Sequence, residues 1–341
     1  MLSPQRPDVK HGVQRTSAGT GPECHNRPTA EGPAKGAMDD DSTARAGEIL
    51  ERELPGLQRA VPIGPHCAYR VGGPAEYLIS AQRTEDLRHA VVVGRELGLA
   101  VTVLGRATNV LVSDRGIRGL VVLARNEATR LDGELLVAGA GAVLPEVVTD
   151  LAQHGLAGLE FAGNIPGSVG GAVVGNAGAY GRAVGDVLVR ARVLAGDREH
   201  LAGPADLALG YRTSGLKGDH QAVVLEATFA LSAGRANELL AEIARDAELR
   251  RGKHPLDYAS CGSYFKNPSR DVPAARLIDE AGLKGLRLGK AEVSRAHANF
   301  IVAHSGAGAD DIRRVAAEVR RRVFERSGVR LEEEVVLLGF E

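Results

Sequence analysis

The stretch EFAGNIPGSVGGAVVGNAGAYG, residues 160–181, carries the strongest structural signal in the chain because it holds seven glycines. Glycine has no Cβ, so a bulky anion such as a pyrophosphate can approach the backbone amides closely. A purely structural turn rarely needs so long a run together with Asn164 and Asn176. The spacing differs from a G-x-G-x-x-G that opens a helix after a strand. We therefore predict a phosphate-binding loop outside the nicotinamide Rossmann class.

Two shorter glycine loops accompany this stretch. LGRATNVLVSD, residues 104–114, follows the predicted strand LAVTVLG and offers Gly105, Thr108 and Asn109. AGAGA, residues 138–142, lies between the predicted strand ELLV and a helix, so we expect free amides at a helix N-terminus, where negative charge is favoured. Three such loops at strand ends predict one extended, diphosphate-containing cofactor across a sheet, of the size of a flavin dinucleotide.

Composition limits the class of protein. At 341 residues, with 44% hydrophobic and 25% charged residues, the chain is typical of a soluble globular protein of two or three domains. Its net charge of -1 gives no overall attraction to nucleic acid or anionic membranes, so we expect small-molecule partners. Cys24, Cys67 and Cys261 fit neither a disulfide framework nor a zinc site, which indicates a reducing cytoplasm. The sequence shows no membrane-spanning or secretory pattern.

Helical and strand patterns alternate from about residue 46 and predict a mixed α and β protein. One helix is predicted in AGEILEREL, ended by Pro55, and another in TEDLRHAVVVGREL, capped by Thr84. A third, AVLPEVVTDLAQHG, is expected to end at Gly155 in the left-handed conformation. Two further helices are predicted in ANELLAEIARDAELRRG and GADDIRRVAAEVRRRVFERSG. Strands are predicted in LAVTVLG, GLVVLA, ELLVAG, VLVRARVLA, AVVLEATFAL, NFIVAHSG and the terminal RLEEEVVLLGF.

The N-terminal residues 1–44 show no period of two or of 3.6 and are rich in Pro, Gly, Thr, Arg and Asp. Such a segment cannot bury enough apolar surface to offset the entropy of ordering, so we predict a disordered tail. It is either a partner-binding arm or a dispensable extension. Met38 precedes DDDSTARAGEILEREL, a predicted helix start, so a native protein that begins at Met38 is a further hypothesis.

Several polar residues in the second half of the chain could hold or discharge a substrate. The candidates are Tyr211, Arg212, Lys253, Ser263, Lys266, Asn267 and the acidic run 332–334. An arginine fork suits a carboxylate or a phosphate, although it also forms surface ion pairs. Ser263 has neither a G-x-S-x-G context nor a nearby His or Asp, so a nucleophilic role is disfavoured, which leaves a proton donor or a turn residue. The acidic run also fits a solvated surface.

The motifs of the chain, taken together, resemble one known family. GNIPGSVGGAVVGNAGAYG, GYRTSGLKG, CGSYFKNP, RLIDEAGLKG, VSRAHANFIV and LEEEVVLLG follow one another as in the UDP-N-acetylenolpyruvoylglucosamine reductases of peptidoglycan precursor synthesis. The similarity extends from about residue 55 to residue 339. Six ordered motifs are far more specific than a single glycine loop.

The resemblance implies an α+β protein with a two-subdomain FAD-binding fold of the vanillyl-alcohol-oxidase (PCMH) type and a smaller α+β substrate-binding domain. The expected boundaries are 45–125 and 126–234 for the two FAD-binding subdomains and 235–341 for the substrate-binding domain, after the tail. The implied enzyme is a UDP-N-acetylmuramate dehydrogenase. It binds FAD non-covalently, takes NADPH as co-substrate and reduces UDP-N-acetylglucosamine enolpyruvate. We expect a cytoplasmic monomer that binds these small molecules but no nucleic acid, membrane or metal.

The resemblance also implies roles for individual residues. By position, Ser263 matches the family's proton donor, and Arg212 and Glu334 match its other catalytic residues, whereas Tyr211, Lys253 and Asn267 match substrate-site positions. Lys266 is a candidate to stabilise the serine alkoxide. Expected cofactor contacts come from the three glycine loops: Gly105, Arg106, Ala107, Thr108, Asn109, Gly139, Gly141, Asn164, Pro166, Gly167, Ser168, Gly170, Gly171, Asn176 and Gly178.

The chain departs from the family pattern at a few positions. Ala107 and Thr108 stand where members usually have glycine and serine, and Asn164 stands where glycine is usual. Alanine restricts positive φ, so FAD is expected to bind somewhat more weakly or the loop to differ in shape. The short interval from Arg212 to Ser263 resembles the branch without an extra substrate-capping segment. The alternatives are another FAD oxidoreductase of this fold that oxidises a hydroxy acid or alcohol, and a catalytically silent FAD or UDP-sugar-binding regulator.

Overall fold

Seven α-helices occur in residues 40–218 and 221–340, the part of the chain that the computed structural model describes. They are α1 (Asp40–Glu53), α2 (Thr84–Glu96), α3 (Leu144–Gln153), α4 (Val169–Val174), α5 (Ala236–Arg251), α6 (Ala274–Glu280) and α7 (Ala309–Ser327). Most of the predicted tail, and with it Met38 and Cys24, lies outside the described residues. Helix α1 begins at Asp40, so it includes the last residues of the predicted tail, and the boundary at residue 44 stays a prediction.

The same residues contain eighteen β-strands. They are β1 (Gln58–Pro62), β2 (Pro74–Ala81), β3 (Val101–Leu104), β4 (Val110–Val112), β5 (Ile117–Ala124), β6 (Thr129–Asp132), β7 (Leu135–Gly139), β8 (Leu156–Ala157), β9 (Gly178–Ala179), β10 (Arg182–Ala183), β11 (Leu188–Ala195), β12 (Arg198–Ala202), β13 (Ala222–Ala230), β14 (Ser232–Ala233), β15 (Arg287–Leu288), β16 (Ala291–Val293), β17 (Ile301–Ala303) and β18 (Val336–Leu338).

The predicted end of α3 is confirmed, whereas the predicted N-terminal cap of α2 is wrong. Gly155 follows α3 with φ +71°, as expected for a left-handed residue after a helix. The predicted cap of α2 is wrong by one position: Thr84 is the first helical residue and Arg83 occupies the cap position. The backbone N–H of Arg83 donates to the Asp86 carboxylate at 3.1 Å, and the Thr84 hydroxyl donates instead to Glu226 at 3.4 Å.

The first sheet has the order β1-β2-β5-β3. Strands β2 and β3 run parallel to β5, whereas β1 is antiparallel to β2. Helix α2 connects β2 with β3 and buries Leu87 and Val91 in the same core as Leu120 and Val122 of β5. The loop at 105–109 therefore leaves the carboxyl end of β3.

The second sheet has the order β12-β11-β13-β7-β6 and is antiparallel throughout. Its inner face buries Leu136, Ala191, Val193 and Phe229. The segment at 139–142 leaves the end of β7 and enters α3, and α4 packs beside β13 and β7. The first and second sheets thus place two of the predicted glycine loops at strand ends.

The third sheet, β15-β16-β17, is antiparallel and packs against α7. The core of this region contains Val293 and Ile301 from the sheet and Ile312 and Val315 from the helix. The predicted terminal strand is short: only β18 is regular, and it pairs in parallel with β4. The last strand therefore joins the C-terminal region to the segment that follows the first glycine loop.

Candidate active site

The first glycine loop and the long glycine-rich stretch lie against each other. The Thr108 hydroxyl donates a hydrogen bond to the carbonyl of Pro166 at 3.0 Å. A Cβ atom on Gly105 would collide with the Ser168 hydroxyl, and one on Gly167, at φ +146°, would lie 3.2 Å from the Thr108 hydroxyl. The two loops can approach this closely because glycine occupies these positions.

The facing loops present backbone amides that are open to a ligand. Among the described residues, the N–H groups of residues 106–109 and those of Gly167 and Ser168 donate no hydrogen bond. Successive open amides in a concave loop form a site for an anion. These residues therefore fit the diphosphate of a flavin dinucleotide.

Ala107 adopts φ +47°, which is the left-handed region where alanine is disfavoured. Its side chain is buried with the core residues of the first sheet, and its carbonyl accepts a hydrogen bond from the Ala68 N–H at 3.2 Å. The loop thus takes the glycine-type conformation with alanine in place, and weaker binding of FAD stays a prediction.

The third glycine loop does not offer the free amides that we expected. All four amides of residues 139–142 donate within the protein, for example from Ala140 to the Leu225 carbonyl at 3.0 Å and from Gly141 to the Asn126 amide oxygen at 3.0 Å. A Cβ atom on Gly139 would collide with the Asn126 carbonyl. The glycines here allow close packing of backbone segments, and their contact with a cofactor stays a prediction.

Two predicted cofactor-binding asparagines have partners within the protein. The Asn164 side chain donates to the Ile243 carbonyl at 2.8 Å, which ties the loop to α5. Asn176 donates to the Gly210 carbonyl and accepts from the Gly185 N–H, both at 2.9 Å. Asn176 thereby holds the segment that carries Tyr211 and Arg212.

Other predicted cofactor-binding glycines sit close to neighbouring backbone. Gly170 faces Ala140, and the Gly171 N–H donates to the Ser168 hydroxyl at 3.3 Å, which caps α4. Gly178 lies in β9 of a two-stranded hairpin.

The structure brings Arg212 and Glu334 together. The Arg212 Nε atom lies 3.3 Å from Glu334 Oε1, and the two side chains are 29% and 15% exposed. Arg212 itself has φ +56°. The Asn109 side chain donates to the Glu334 carbonyl at 3.1 Å, so the ion pair is anchored to the first glycine loop.

Ser263 lies on the strand-like segment beside Glu334. The Glu334 N–H donates to the Tyr264 carbonyl at 2.8 Å, and Phe265 forms an antiparallel bridge with Glu333. Ser263 is half-buried, and in the described part of the chain no hydrogen bond involves its hydroxyl. Its O–H is available to a substrate placed beside Arg212 and Glu334.

Comparisons with known proteins agree with this site. Residues 254–338 match the family model described as UDP-N-acetylenolpyruvoylglucosamine reductase, C-terminal domain, and residues 75–202 match the one described as FAD binding domain. A UDP-N-acetylenolpyruvoylglucosamine reductase from Rubrobacter xylanophilus is 46% identical over 292 residues, 85% of this chain and 98% of that protein. The crystal structure of such a reductase from Thermus caldophilus is 35% identical, covers 83% of this chain and 98% of its own, and has a TM-score of 0.70.

The chain belongs to the UDP-N-acetylenolpyruvoylglucosamine reductase family. The family membership that the six motifs predicted is thus confirmed. The predicted α+β fold with an FAD-binding domain is confirmed as well, whereas the division of that part into two subdomains stays a prediction. No helix among the described residues is long and apolar enough to cross a membrane.

Three cations surround the carboxyl group of Glu334 in this reductase. Burial raises the pKa of Glu334, and the charges of Arg212, Lys217 and Lys266 partly oppose that rise. Lys266 forms an ion pair with Glu332. Because the rise from burial exceeds the opposing effects, this carboxyl group holds a proton more readily than a carboxyl group in water does.

Lys217 was missed by the sequence analysis, although it lies in the GYRTSGLKG motif. Its Nζ atom lies 3.3 Å from the Arg212 carbonyl and 3.5 Å from the Glu334 carbonyl. A lysine close to an arginine in sequence is typical of a charged surface, and only the fold shows that it contacts both predicted catalytic residues.

The predicted substrate-binding residues are spread around this centre. Tyr211, beside Arg212, is 60% exposed, and Lys253 is exposed just after α5. The Asn267 side chain accepts a hydrogen bond from the Ala274 N–H at 3.0 Å, so it also supports the start of α6.

An aromatic cluster beside Lys253 was not predicted either. The ring of His254 lies 5.3 Å from that of His297 and 4.8 Å from that of Phe300. Burial, followed by the charge of Arg250, lowers the pKa of His254 to about 4. His254 is therefore neutral at pH 7.

Proposed function

We propose that the chain reduces UDP-N-acetylglucosamine enolpyruvate to UDP-N-acetylmuramate in peptidoglycan precursor synthesis, with NADPH as reductant. The observation that supports this most directly is the partly buried pair of Arg212 and Glu334 beside the unengaged hydroxyl of Ser263, anchored to the open amides of the first glycine loop. The two alternatives, alcohol oxidation and silent ligand binding, have no comparable support in the arrangement of these three side chains.

The residues that would hold FAD are those with open amides, residues 106–109 with Gly167 and Ser168. The histidine that commonly links flavin covalently in this fold is not found in GRATN, so binding is non-covalent. A flavin held by these residues would supply hydride chemistry, with NADPH as the source of the electrons.

Arg212 stabilises the charge that develops on the substrate. Addition of hydride to one alkene carbon leaves negative charge on the other carbon and on the adjoining carboxylate. The guanidinium is held by Glu334, so its donors are oriented before the substrate binds. In an enclosed site, a positively charged, preorganised donor stabilises developing negative charge far more than it does in bulk water.

Ser263 donates the proton that completes the reduction. A carbanion-like centre is a strong base, so a positioned hydroxyl can protonate it if the resulting alkoxide is stabilised. The C–H bond forms as the serine O–H bond breaks, and the alkoxide recovers a proton from solvent. Lys266, three residues along the same segment, is the candidate stabiliser, and a Lys266→Met variant with unchanged turnover would remove that role.

We propose that Glu334 assists either as a neutral carboxylic acid or through a water molecule. A carboxylate beside the developing negative charge would oppose the reaction, whereas a neutral carboxylic acid can donate a hydrogen bond. Burial raises the pKa of Glu334, which supports the neutral form, and Arg212, Lys217 and Lys266 moderate the effect.

We also propose how the chain is divided and where it acts. Residues 45–125 and 126–234 form the two FAD-binding subdomains and 235–341 the substrate-binding domain; in support, each of the three main sheets lies within one of these ranges. The protein acts as a monomer in the cytoplasm, without nucleic acid or membrane partners. The buried free thiols of Cys67 and Cys261 are in keeping with a reducing compartment.

The test of the function uses the purified full chain. A yellow flavin chromophore is expected, together with NADPH oxidation that requires UDP-N-acetylglucosamine enolpyruvate and a product that carries one solvent deuterium in heavy water. Under anaerobic conditions NADPH should bleach the flavin and alcohol donors should not. Bleaching by alcohols would support the oxidase alternative, and a protein that cannot be loaded with flavin would overturn the proposal.

A further inference from the structure

Lys217 connects two distant segments of the chain at the site. Its Nζ atom lies 3.3 Å from the Arg212 carbonyl and 3.5 Å from the Glu334 carbonyl, 117 residues away. Arg212 belongs to the loop before β13, whereas Glu334 precedes β18. A single ammonium group thus contacts the backbone of both predicted catalytic residues.

The contact depends on an unusual backbone conformation. Arg212 has φ +56°, and its carbonyl receives Lys217 while its guanidinium reaches Glu334. An ammonium has three donors, so two carbonyls leave one for water or substrate. Because the two carbonyls lie on different segments, loss of the ammonium would release both of them.

The charge of Lys217 acts on the same carboxyl group. Glu334 faces Arg212, Lys217 and Lys266, and Lys217 in turn faces Lys266, Glu334, Glu332 and Arg212. Lys266 is already paired with Glu332. Lys217 forms no ion pair among the described residues. Its charge is therefore not neutralised by a paired carboxylate and acts on Glu334.

We propose that Lys217 is a positioning residue, which fixes Arg212 and Glu334 against each other through their carbonyls. This inference rests on the proposed function. It makes one prediction that a merely structural contact does not: removing the positive charge makes the Glu334 carboxylate less favourable, so the pKa of Glu334 rises.

The first experiment titrates Glu334 directly, independently of turnover. The carboxyl groups are followed by ¹³C NMR in glutamate-labelled holoenzyme, and the E334Q variant assigns the signal. We expect the Glu334 pKa in K217M to be higher than in the wild type, and in K217R to be unchanged. Equal values in K217M and the wild type would overturn the proposal whether or not the enzyme reduces the proposed substrate.

The second experiment measures steady-state turnover with NADPH and UDP-N-acetylglucosamine enolpyruvate. In K217M, kcat should fall by about tenfold or more, with a smaller change in KM, and the loss of activity at alkaline pH should move to higher pH. K290M, which replaces an exposed lysine, is the matched control and should behave as the wild type. If K217M does not retain flavin, K217Q removes the charge while keeping a donor and gives the same comparison.

A wild-type enzyme without substrate-dependent turnover would refute the proposed function but leave the NMR result decisive for Lys217. Normal kcat and an unmoved alkaline loss of activity in both K217M and K217Q would overturn the role of Lys217 alone.

Discussion

Backbone strain at single residues collects around the site. Ala107, Asn176 and Arg212 all have φ between +42° and +56°, where residues other than glycine are uncommon. Such residues persist only where the surrounding structure fixes them, and they are typical of ligand-binding and catalytic positions. The sequence predicted strain at Ala107 because the family has glycine there, but it gave no sign of the conformation of Arg212.

The strain at Ala107 can be compared with that at Ala208, an exposed alanine with φ +44°. Replacement by glycine relieves about 1–2 kcal/mol of left-handed strain and costs about 0.4–1 kcal/mol in unfolded-state entropy. Ala208→Gly should therefore raise the free energy of unfolding by roughly 0.5–1 kcal/mol. Ala107→Gly also loses a buried methyl, worth about 0.8 kcal/mol, so it should be close to neutral. Urea denaturation of both variants checks the difference, and a larger gain at Ala107 than at Ala208 would contradict it.

Substitution of Ser263 separates the two halves of the reaction. Ser263→Ala removes the proton donor but leaves the open amides of the first loop intact. We expect NADPH still to bleach the flavin, while turnover of the enolpyruvyl substrate falls by about 10²–10⁴-fold. Stopped-flow absorbance measures both steps, and Ser269→Ala, in an exposed serine of the same segment, serves as control. Wild-type turnover in Ser263→Ala would remove the proposed role.

At the scale of elements, regular periodicity was sufficient to predict the long helices α3, α5 and α7 and the buried strands β5, β7, β11 and β13. Each has a pattern that can be read within its own segment. The cap of α2 was wrong because it depends on the Asp86 carboxylate, and the open amides at 139–142 were wrong because Asn126 and Leu225 occupy them. Asp86 lies only three residues from Arg83, but Asn126 and Leu225 are separated in sequence from residues 139–142, and local pattern carries no information about those two contacts.

Asn126 shows how much a contact between segments distant in sequence contributes to the free energy of unfolding. Its side chain is 1% exposed, donates to the Leu225 carbonyl at 2.9 Å and accepts from the Gly141 N–H at 3.0 Å. Asn126→Ala leaves the buried Gly141 N–H without an acceptor, whereas the Leu225 carbonyl keeps the Ala140 N–H, so we expect a loss of about 2–3 kcal/mol in the free energy of unfolding. Asn164→Ala, which breaks one hydrogen bond of a less buried residue, should cost about 1 kcal/mol. Chemical denaturation measures both, and similar costs for the two variants would show that burial does not set the effect.

At the scale of the whole molecule, the predicted catalytic residues come from segments that lie far apart in sequence. Arg212, Ser263 and Glu334 come from three segments, and Asn109 and Lys217 join them through carbonyl contacts. The family motifs predicted which residues belong to the site, because each motif is local. The relative positions of these segments depend on the pairing of β18 with β4 and on the hydrogen bonds from Asn109 and Lys217. No single motif contains these contacts.

The pH dependence of stability follows from the histidine cluster beside the site. Burial, with smaller effects from Arg250, His297 and Lys253, lowers the pKa of His254 from 6.5 to about 4, and burial lowers the pKa of His297 as well. A depressed histidine pKa means that the unfolded chain binds a proton first. The stabilisation is therefore complete above pH 6.5 and is lost as the pH falls through about 4.

Replacement of His254 by glutamine should remove much of this dependence. Between pH 7 and pH 4 the wild type should lose on the order of 1–2 kcal/mol more free energy of unfolding than His254→Gln, a figure reduced for partial exposure to solvent. The residual dependence of the variant should come from His297 and from acidic groups. Urea denaturation at a series of pH values gives the difference curve. A flat difference between the two proteins would mean that His254 takes up a proton as readily in the folded as in the unfolded chain, and the depressed pKa assigned to His254 would then be wrong.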